Sequence, residues 1–257
     1  MPKFNDAPAS GSLVDPSYSR GLYFADSHRH GEDADFKAGN FLRLFLRFAE
    51  RHRLNITSFA DVGCGSGDIA KIIADSLRAN GMDLQKARGY DVSPHVLDMN
   101  QDGVEYIHAD FCRSDESVDV VTLFDVFEHV PDTVAFIKAV SRRCKVVGFH
   151  IPLDYSFNVA ARNKFRRMLV NPGHLIFMDT TGALNLLALS GLRVVDYEYT
   201  FGFLSPSGHR SLLSKVVLPL RFLMARVSPW LLSKTMGGAS LMVIAVTPRG
   251  SSEIQFR

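Results

Sequence analysis

The sequence predicts an α/β protein, with a largely parallel sheet covered by helices on both faces. Three observations predict it: short apolar strands alternate with helical segments, a glycine-rich turn joins the first strand to a helix, and an acidic residue ends each of the first three strands. Alternating strands and helices are typical of parallel sheets, because each parallel strand is reached by a crossover connection. We expect one domain over 36–257, preceded by a loose segment over 1–35 that is rich in Pro, Ser, Gly and Asp.

The elements follow one another in a regular order. A first helix is predicted over Phe36–His52, where apolar residues recur at helical spacing and charged residues fill the other positions. Strands are predicted at Ser58–Val62, Arg88–Asp91, Val104–His108, Val118–Phe124, Lys145–His150, Arg193–Thr200 and Leu241–Thr247. Helical segments are predicted at Asp68–Arg78, Pro94–Met99, Thr133–Arg142 and Thr180–Leu189.

The composition excludes several classes of protein. The chain is 46% hydrophobic and 22% charged, which is typical of a globular protein and excludes a disordered or collagen-like chain. Cys64, Cys112 and Cys144 are an odd number with no CxxC pair, so neither a disulfide framework nor a structural zinc site is expected. No apolar run suits a secretory signal or a membrane span. We therefore expect a cytoplasmic protein.

The net charge of +2 hides an uneven distribution. Tyr155–Met178 contains four Arg and Lys residues and no acid, and Tyr199–Ser252 contains six and no acid. These stretches cover two predicted insertions into the second half of the domain, at about 152–178 and 201–238. Segregation of charge on this scale indicates a partner or ligand of the opposite sign.

A glycine-rich turn follows the first strand in Asp61-Val-Gly63-Cys-Gly65-Ser-Gly67. Glycines let the backbone turn tightly and approach a ligand closely, and the helix that follows offers free N–H groups to a negative group. Such a turn is a weak signal by itself, because glycines also occur in ordinary turns.

Two further acids strengthen the signal. Asp91 ends the second strand, where a carboxylate can accept hydrogen bonds from both hydroxyls of a ribose, although it could equally serve the start of the next helical turn. Asp110 ends the third strand and is followed by Phe111. An acid with an aromatic ring suits an adenine, and the alternative is a loop acid beside a core phenylalanine.

The segments FADVGCGSGDIA, GYDVSP, YIHADF, VDVVTLFDVFEHVPD and NPGHLIFMDTTGALNLLALSGLRVV occur in this order between about Thr57 and Val195. Together they resemble the class I S-adenosylmethionine (SAM) dependent methyltransferases. The resemblance implies a Rossmann-like sheet of seven strands with the last strand antiparallel, and lid insertions after the fifth and sixth strands. It places Asp61 and the glycines beside the methionine part of SAM, Asp91 on the ribose, Asp110 near the adenine and Phe124 near the methionine. The cofactor-binding set that it implies is Asp61, Gly63, Gly65, Gly67, Asp91, Val92, Asp110, Phe111 and Phe124.

Transfer of a methyl group to a hydroxyl requires a base that removes the proton. The candidate bases are His129, His150 and His174, which follow strand ends or the Asn-Pro-Gly turn. The spacing of Asp125, Glu128 and His129 would put all three on one face of a helical turn, where they could hold a divalent metal with His150 or His174 as a further ligand. Similar patterns bind metal in some methyltransferases, but many relatives with Glu-His-Val are metal-free, so no metal is favoured.

The basic insertions are expected to cover the bound acceptor and to favour an acceptor that is anionic. Residues 211–233 are also strongly apolar, with Trp230 and bases interspersed. This segment could lie on an anionic membrane surface as a peripheral contact, line a hydrophobic acceptor pocket, form a dimer contact or pack as core helices. Nucleic acid is not favoured, because the bases are not interleaved with stacking aromatic residues.

The sequence therefore predicts a SAM-dependent methyltransferase that acts on an oxygen of a small anionic acceptor, such as a sugar, nucleotide-linked or lipid-linked intermediate. Two alternatives stay open. One is a metal-assisted RNA 2′-O-methyltransferase that uses Asp125, Glu128 and His129. The other is a non-catalytic protein that binds SAM as a sensor or scaffold.

Overall fold

The computed structural model describes residues 33–100, 102–204 and 216–254. Seven strands form one sheet in the order β3-β2-β1-β4-β5-β7-β6. The strands are β1 Ser58–Val62, β2 Lys86–Asp91, β3 Glu105–His108, β4 Val118–Phe124, β5 Cys144–Pro152, β6 Arg193–Phe201 and β7 Ala239–Val246. All neighbours are parallel except that β7 runs antiparallel to both β5 and β6. The predicted Rossmann-like sheet with an antiparallel last strand is confirmed.

The helices lie between the strands along the chain. They are α1 Ala34–His52, α2 Asp68–Ala79, α3 Thr133–Ser141, α4 Phe157–Ala161, α5 Phe165–Val170, α6 Thr180–Leu189, α7 Leu218–Val227, α8 Pro229–Thr235 and α9 Pro248–Glu253. The predicted helical segment at Pro94–Met99 is a 3₁₀ helix over Pro94–Asp98, which Pro94 starts after the extended Ser93.

Two apolar clusters cover the two faces of the sheet. One contains side chains of α1 and α2, including Phe41, Phe45 and Ile73. The other contains side chains of α3 and α6, including Phe136 and Leu187. Successive residues of the central strands point to alternate faces, so strands buried on both sides read as continuous apolar runs.

A close approach between α1 and β5 fixes the position of the first helix. Gly148 lies on β5, and a Cβ at this position would collide with the ring of Phe41. The missing side chain therefore lets α1 pack directly on the sheet. This packing brings the start of α1 to the edge at which the parallel strands end.

The predicted insertions correspond to the two long connections around β6. The connection from β5 to α6 contains α4 and α5, and the connection from β6 to β7 contains α7 and α8. Residues 1–32 of the predicted loose segment and 205–215 of the second insertion lie outside the described residues. In the described part of the chain, no helix is both long and apolar enough to cross a membrane.

Candidate functional site

The site lies where the direction of the chain through the sheet reverses. From β1 the chain continues to β2 and β3 on one side, and it then returns to β4 on the other side of β1. In sheets of this kind, ligands bind beyond the carboxyl ends of the strands at such a switch point. The glycine-rich turn follows β1, and the turn that contains Asp125, Glu128 and His129 follows β4.

The glycine-rich turn requires glycine for its backbone. Gly63, Gly65 and Gly67 all have positive φ angles, between 55° and 80°. A Cβ at Gly63 would lie 2.6 Å from Cγ2 of Val126. The turn is tied to β2 because the Gly63 N–H donates to the carbonyl of Tyr90 at 2.7 Å. The hydrogen bond therefore fixes the turn so that it leaves space beside the start of α2. The first residues of this helix have free N–H groups.

Asp91 ends β2 directly against this turn. Its Oδ2 accepts a hydrogen bond from the Gly65 N–H at 3.1 Å, and its Oδ1 accepts one from the Ser93 N–H at 2.8 Å. Burial raises the pKa of Asp91, and the hydrogen bonds from Ser93 and Gly65 oppose that rise. A carboxylate has about four acceptor positions, so both oxygens can still accept from ribose hydroxyls.

Asp61 ends β1 and is buried. Its Oδ1 accepts a hydrogen bond of 2.6 Å from the Thr122 hydroxyl on the neighbouring strand. Burial raises the pKa of Asp61 to about 7 despite this bond, and the nearby Asp91 adds to the rise. Asp61 thus carries a proton that exchanges near neutral pH.

The residues after β3 depart in part from the prediction. Asp110 accepts from the Cys112 N–H at 2.9 Å and lies 3.4 Å from Nε of Arg113. Phe111 is 1% exposed, and its ring packs edge-on against Tyr90 with centroids 5.0 Å apart. Phe111 thus occupies a core position, which is the alternative that the sequence left open, and a contact of this residue with an adenine stays a prediction.

Val92 and Phe124 lie at the predicted strand ends. The Val92 carbonyl accepts from Nε2 of His108 at 3.0 Å. Phe124 ends β4 and is buried, with its ring 6.2 Å from that of His150. Both residues therefore lie at the edge of the sheet at which a cofactor is expected.

A polar cavity of about 280 Å³, here called the reaction pocket, opens beyond β4 and β5. It brings together all three candidate bases that the sequence predicted. Its polar lining includes Lys37, Asp125, His129, His150, His174 and Thr200. Lys37 comes from α1 and acts electrostatically on both Asp61 and Asp125, so the pocket adjoins the end of β1.

A chain of polar contacts crosses the reaction pocket. Lys37 lies 2.7 Å from Oδ2 of Asp125, and Nδ1 of His150 donates to Oδ1 of Asp125 at 2.7 Å. Nε2 of His150 lies 2.9 Å from the hydroxyl of Thr200. Burial alone would raise the pKa of Asp125, but the interactions with His150 and Lys37, including a hydrogen bond from each, hold it well below its usual range. Asp125 is therefore a carboxylate, and it fixes the orientation of the His150 ring.

Glu128, His129 and His174 form a second cluster beside the pocket. Their ligand atoms lie within 4.8 Å of one another. Glu128 is 0% exposed, and neither of its carboxylate oxygens has a hydrogen-bond partner among the described residues. Burial, with the nearby Asp125, raises the pKa of Glu128 well above its usual value. A buried carboxyl group without partners is costly, so this geometry calls for a cation or a proton.

The two histidines are oriented as metal ligands usually are. Nδ1 of His129 donates to the carbonyl of Gly173 at 3.1 Å, and Nδ1 of His174 donates to Asp154. The two rings lie 4.8 Å apart. Hydrogen bonds from one ring nitrogen to a carbonyl or carboxylate leave the other nitrogen for a metal. Burial, with the adjacent His174, lowers the pKa of His129 to about 4, so the ring is neutral at pH 7.

This cluster differs from the metal set that the sequence offered as an alternative. The sequence favoured no metal, and its alternative set was Asp125, Glu128 and His129. The structure instead groups Glu128 and His129 with His174, a residue considered only as a further ligand. Asp125 has a φ of +55°, and Phe127–His129 is a 3₁₀ turn, so the three acidic and imidazole groups do not share one helical face. Asp125 pairs with Lys37 and His150 instead.

A second cavity of about 570 Å³, here called the apolar groove, adjoins the reaction pocket. Its walls include Phe36, Tyr199, Phe201, Leu204, Phe222 and Leu223. Phe36 and Thr200 line both cavities. Arg43 and Arg226 also line the groove. No Arg or Lys residue of the first insertion lines either cavity. The described residues around the two cavities are therefore less basic than the sequence predicted.

Three residues of the site were not predicted from the sequence. They are Lys37, Thr200 and Asp154. Lys37 lies in a helix whose sequence pattern is that of an ordinary amphipathic helix. Thr200 lies near the end of a strand that carries no distinctive motif. Asp154 lies two residues after Pro152, the last residue of β5, and an acid so close to a strand end was the one signal that could have drawn attention to it.

Comparisons with known proteins agree with this architecture. A family model described as a methyltransferase domain matches residues 31–197. A ubiquinone biosynthesis O-methyltransferase from Idiomarina loihiensis is 27% identical over 171 residues, which cover 57% of this chain and 70% of that protein. The enzyme of the same name from Leptothrix cholodnii is 33% identical over 94 residues, 35% of this chain and 40% of that protein. The chain thus spans less than half the length of this second relative.

Solved structures share the fold at low sequence identity. The N-methyltransferase NodS from Bradyrhizobium japonicum, in complex with S-adenosyl-L-homocysteine, has a TM-score of 0.56 and 14% identity, covering 91% of this chain and all of that one. Magnesium protoporphyrin IX methyltransferase from Synechocystis, with the same ligand, has a TM-score of 0.50 and 12% identity, covering 88% and 91%. The family match covers more than half of the chain, so the protein belongs to the methyltransferase-domain family of class I, SAM-dependent enzymes.

Proposed function

We propose that the protein is a SAM-dependent methyltransferase that transfers a methyl group to an oxygen of a small acceptor bound in the reaction pocket. The observation that carries the proposal is the pairing of Asp125 with His150 at the wall of this pocket. The pairing places an oriented imidazole at the switch point of the sheet, next to the glycine-rich turn. A nucleophilic hydroxyl needs such a group, whereas an uncharged amine can attack without losing a proton first.

The cofactor half of the site supports the binding of SAM. The glycine-rich turn leaves room for the methionine part, and the Asp91 carboxylate can accept from the ribose hydroxyls. Asp110 stands at the end of the next strand, near the expected position of the adenine. SAM supplies the methyl group on a sulfonium, and the protein holds the acceptor in line behind it.

His150 is the proposed base. Because its Nδ1 donates to Asp125, its Nε2 is unprotonated in the neutral ring and accepts from Thr200. As the acceptor oxygen forms its bond to the methyl carbon, the carbon–sulfur bond breaks. The hydroxyl proton passes to Nε2, directly or through the Thr200 hydroxyl. The Asp125 carboxylate then stabilises the imidazolium, as the acid of a catalytic triad does.

Glu128, His129 and His174 are proposed to hold a divalent cation. Two imidazoles and one carboxylate suit Zn²⁺ or Mn²⁺ better than Mg²⁺. A bound cation would lower the pKa of an acceptor hydroxyl that contacts it. The buried Glu128 carboxyl group, which has no partner among the described residues, supports this assignment.

The anionic character of the acceptor is also proposed. Arg43 and Arg226 support it, since both line the cavity next to the reaction pocket. Arg43 pairs with Glu198 at 2.6 Å, whereas Arg226 has no ion pair within the described ranges. An acidic substituent of the acceptor that reaches this second cavity would therefore meet Arg226.

A peripheral contact with an anionic membrane is proposed for α7 and α8. Both helices expose large apolar side chains, among them Leu220, Leu223 and Trp230. Arg226 lies on α7, and the sequence from Tyr199 to Ser252 has no acid, although Lys234 on α8 pairs with Asp179. Apolar groups with interspersed bases suit the headgroup region of an anionic bilayer.

The test of the main proposal is a methyl-transfer assay with radiolabelled SAM and matched pairs of acidic and neutral hydroxyl acceptors, including sugars, phenols and RNA oligonucleotides. We expect transfer to an oxygen of a small acidic acceptor, and its loss in the His150→Ala variant. Transfer only to RNA, with sensitivity to chelators, would select the RNA 2′-O-methyltransferase alternative. Binding of SAM without transfer to any acceptor would favour the non-catalytic alternative.

A further inference from the structure

We propose that the acceptor is amphiphilic: its reactive hydroxyl enters the reaction pocket while an apolar chain attached to it lies in the apolar groove. This inference rests on the proposed function and extends it, since it names the part of the acceptor that does not react.

The first argument is the continuity of the two cavities. Phe36 and Thr200 line both of them, so the groove begins where the reaction pocket ends. Thr200 contacts Nε2 of His150, and both residues line the pocket. A molecule whose hydroxyl lies beside His150 therefore has its remaining atoms directed past Phe36. One ligand could therefore occupy both cavities with the lining side chains in their present positions.

The second argument is the chemistry of the groove walls. Tyr199 and Phe201 alternate along β6 on one face, with parallel rings whose centroids are 6.4 Å apart. Phe201 stacks on Phe203, whose ring meets Phe222 of α7 edge-on at 5.3 Å. These rings make a continuous apolar wall from the sheet to α7. Phe201 and Phe203 are already buried, so the surface that an apolar chain would remove from water belongs mainly to the exposed Leu204, Phe222 and Leu223. Removing it is favourable in proportion to the area buried.

The third argument is size. Small-molecule sites usually have volumes of about 300–1,000 Å³. The reaction pocket, at about 280 Å³, is small for a complete site, and the groove adds about 570 Å³. The pocket thus suits a compact polar head, and the larger part of the cavity system is apolar. A fully polar acceptor such as a free sugar would leave the groove unused.

The groove ends at a helix that has no buried side chain. The bounds of this helix, α7, are Leu218–Val227. Leu223 lines the groove and is 60% exposed, whereas Leu220, one turn earlier on the same helix, is 51% exposed and does not line it. These two leucines provide a matched pair of variants, because a charge at either position adds little strain to the fold. The charge at position 223 would meet the chain of the acceptor, and the charge at position 220 would not.

The experiment measures binding of 4-n-alkylphenols with chains of zero, four and eight carbons to the full-length protein saturated with S-adenosyl-L-homocysteine. Each buried methylene is expected to tighten binding about threefold to fourfold. The dissociation constant should therefore fall by about a hundredfold or more from phenol to 4-octylphenol. Leu223→Asp should weaken binding of 4-octylphenol about tenfold or more and leave that of phenol unchanged. Leu220→Asp should change neither.

The outcomes separate this inference from the function on which it rests. Affinity that is independent of chain length, with S-adenosyl-L-homocysteine still bound, would overturn the inference and leave the proposed cofactor site intact. Equal losses in Leu220→Asp and Leu223→Asp would also overturn it, because the chain would then lie on the outer surface of α7. Failure to bind S-adenosyl-L-homocysteine would count against the proposed function, whereas a chain-length effect measured without that ligand would still support the groove.

Discussion

Nδ1 of His150 lies 2.7 Å from Oδ1 of Asp125, and this hydrogen bond leaves Nε2 as the unprotonated nitrogen of the neutral ring. The Asp125 N–H also donates to the His150 carbonyl at 3.0 Å, so the backbones and the side chains of the two residues are both joined. Lys37 neutralises the other carboxylate oxygen from α1. The pair is thus fixed from three elements of the fold.

The first prediction concerns this pair. Asp125→Asn keeps the size of the side chain but removes its charge, so the His150 imidazolium loses its stabilising partner. We expect kcat to fall by about tenfold to a hundredfold, with the KM for SAM unchanged. Steady-state kinetics checks this, with the exposed Asp115→Asn as the control. A rise in KM at constant kcat would show that Asp125 serves binding and not the proton transfer.

The second prediction concerns the cofactor. Asp91→Ala removes the proposed acceptor for both ribose hydroxyls, and hydrogen bonds to charged groups contribute about 1.5–3 kcal/mol each. Binding of S-adenosyl-L-homocysteine should weaken at least about a hundredfold in calorimetric titration. Asp98→Ala, at an exposed acid close by in sequence, should bind as the wild type does. Undiminished binding in Asp91→Ala would show that Asp91 is not part of the cofactor site.

The third prediction distinguishes the two possible metal sets. Titration with Mn²⁺ and with Zn²⁺ should show one tight site in the wild type. Glu128→Gln and His174→Ala should each weaken that site about tenfold or more, because each removes one of three ligands. Asp125→Asn should retain it. The reverse pattern, with binding lost in Asp125→Asn and kept in His174→Ala, would restore the set predicted from the sequence.

The fourth prediction concerns stability and pH. Burial raises the pKa of Asp61 from 3.8 to about 7, so between these values the folded protein binds a proton that the unfolded chain releases. This group therefore stabilises the fold fully below about pH 4, and its contribution is lost as the pH rises to 7. Asp61→Asn removes the dependence and keeps an acceptor for Thr122.

Urea unfolding at a series of pH values checks this prediction. The stability of Asp61→Asn relative to the wild type should rise between pH 4 and 7, by at most about 1.4 kcal/mol per pH unit, and stay level above pH 7. His129 has a lowered pKa and acts in the opposite direction, so the comparison must be made between variants and not from one profile. A constant difference across the range would contradict the raised pKa.

The fifth prediction concerns the surface of α7 and α8. Trp230 is the single tryptophan of the chain and is 52% exposed, so its fluorescence reports on this surface alone. Vesicles with anionic lipids should shift its emission to shorter wavelength, and salt or the Arg226→Gln variant should reduce the shift. Neutral vesicles serve as the control. An unchanged spectrum with anionic vesicles would exclude membrane contact through these helices.

The sequence predicted the features that depend on neighbouring residues. The strand Val118–Phe124 and the helix Thr180–Leu189 have the predicted bounds, because their apolar patterns and ends are local. The glycine-rich turn was also predictable, since its positive φ angles restrict the choice of residue. The number of strands and the antiparallel direction of the last strand, in contrast, came from the family resemblance.

Features that depend on distant residues were not predictable in this way. Lys37 meets Asp125 only because Gly148 admits Phe41 and so sets the position of α1. The grouping of His174 with Glu128 depends on the path of a loop more than 40 residues later in the chain. The spacing of Asp125, Glu128 and His129 suggested one helical face, but the left-handed backbone at Asp125 separates it from the other two.

Phe36 stands between the two cavities, and it comes from the same helix as Lys37. The residues proposed to bind the cofactor follow β1, β2 and β3, whereas the wall of the apolar groove is assembled from α1, β6 and α7, which are far apart in the chain. Under the proposed function, substitutions at the groove-lining positions of α1 and α7 would therefore change which molecule is methylated without replacing any residue proposed to bind the methyl donor.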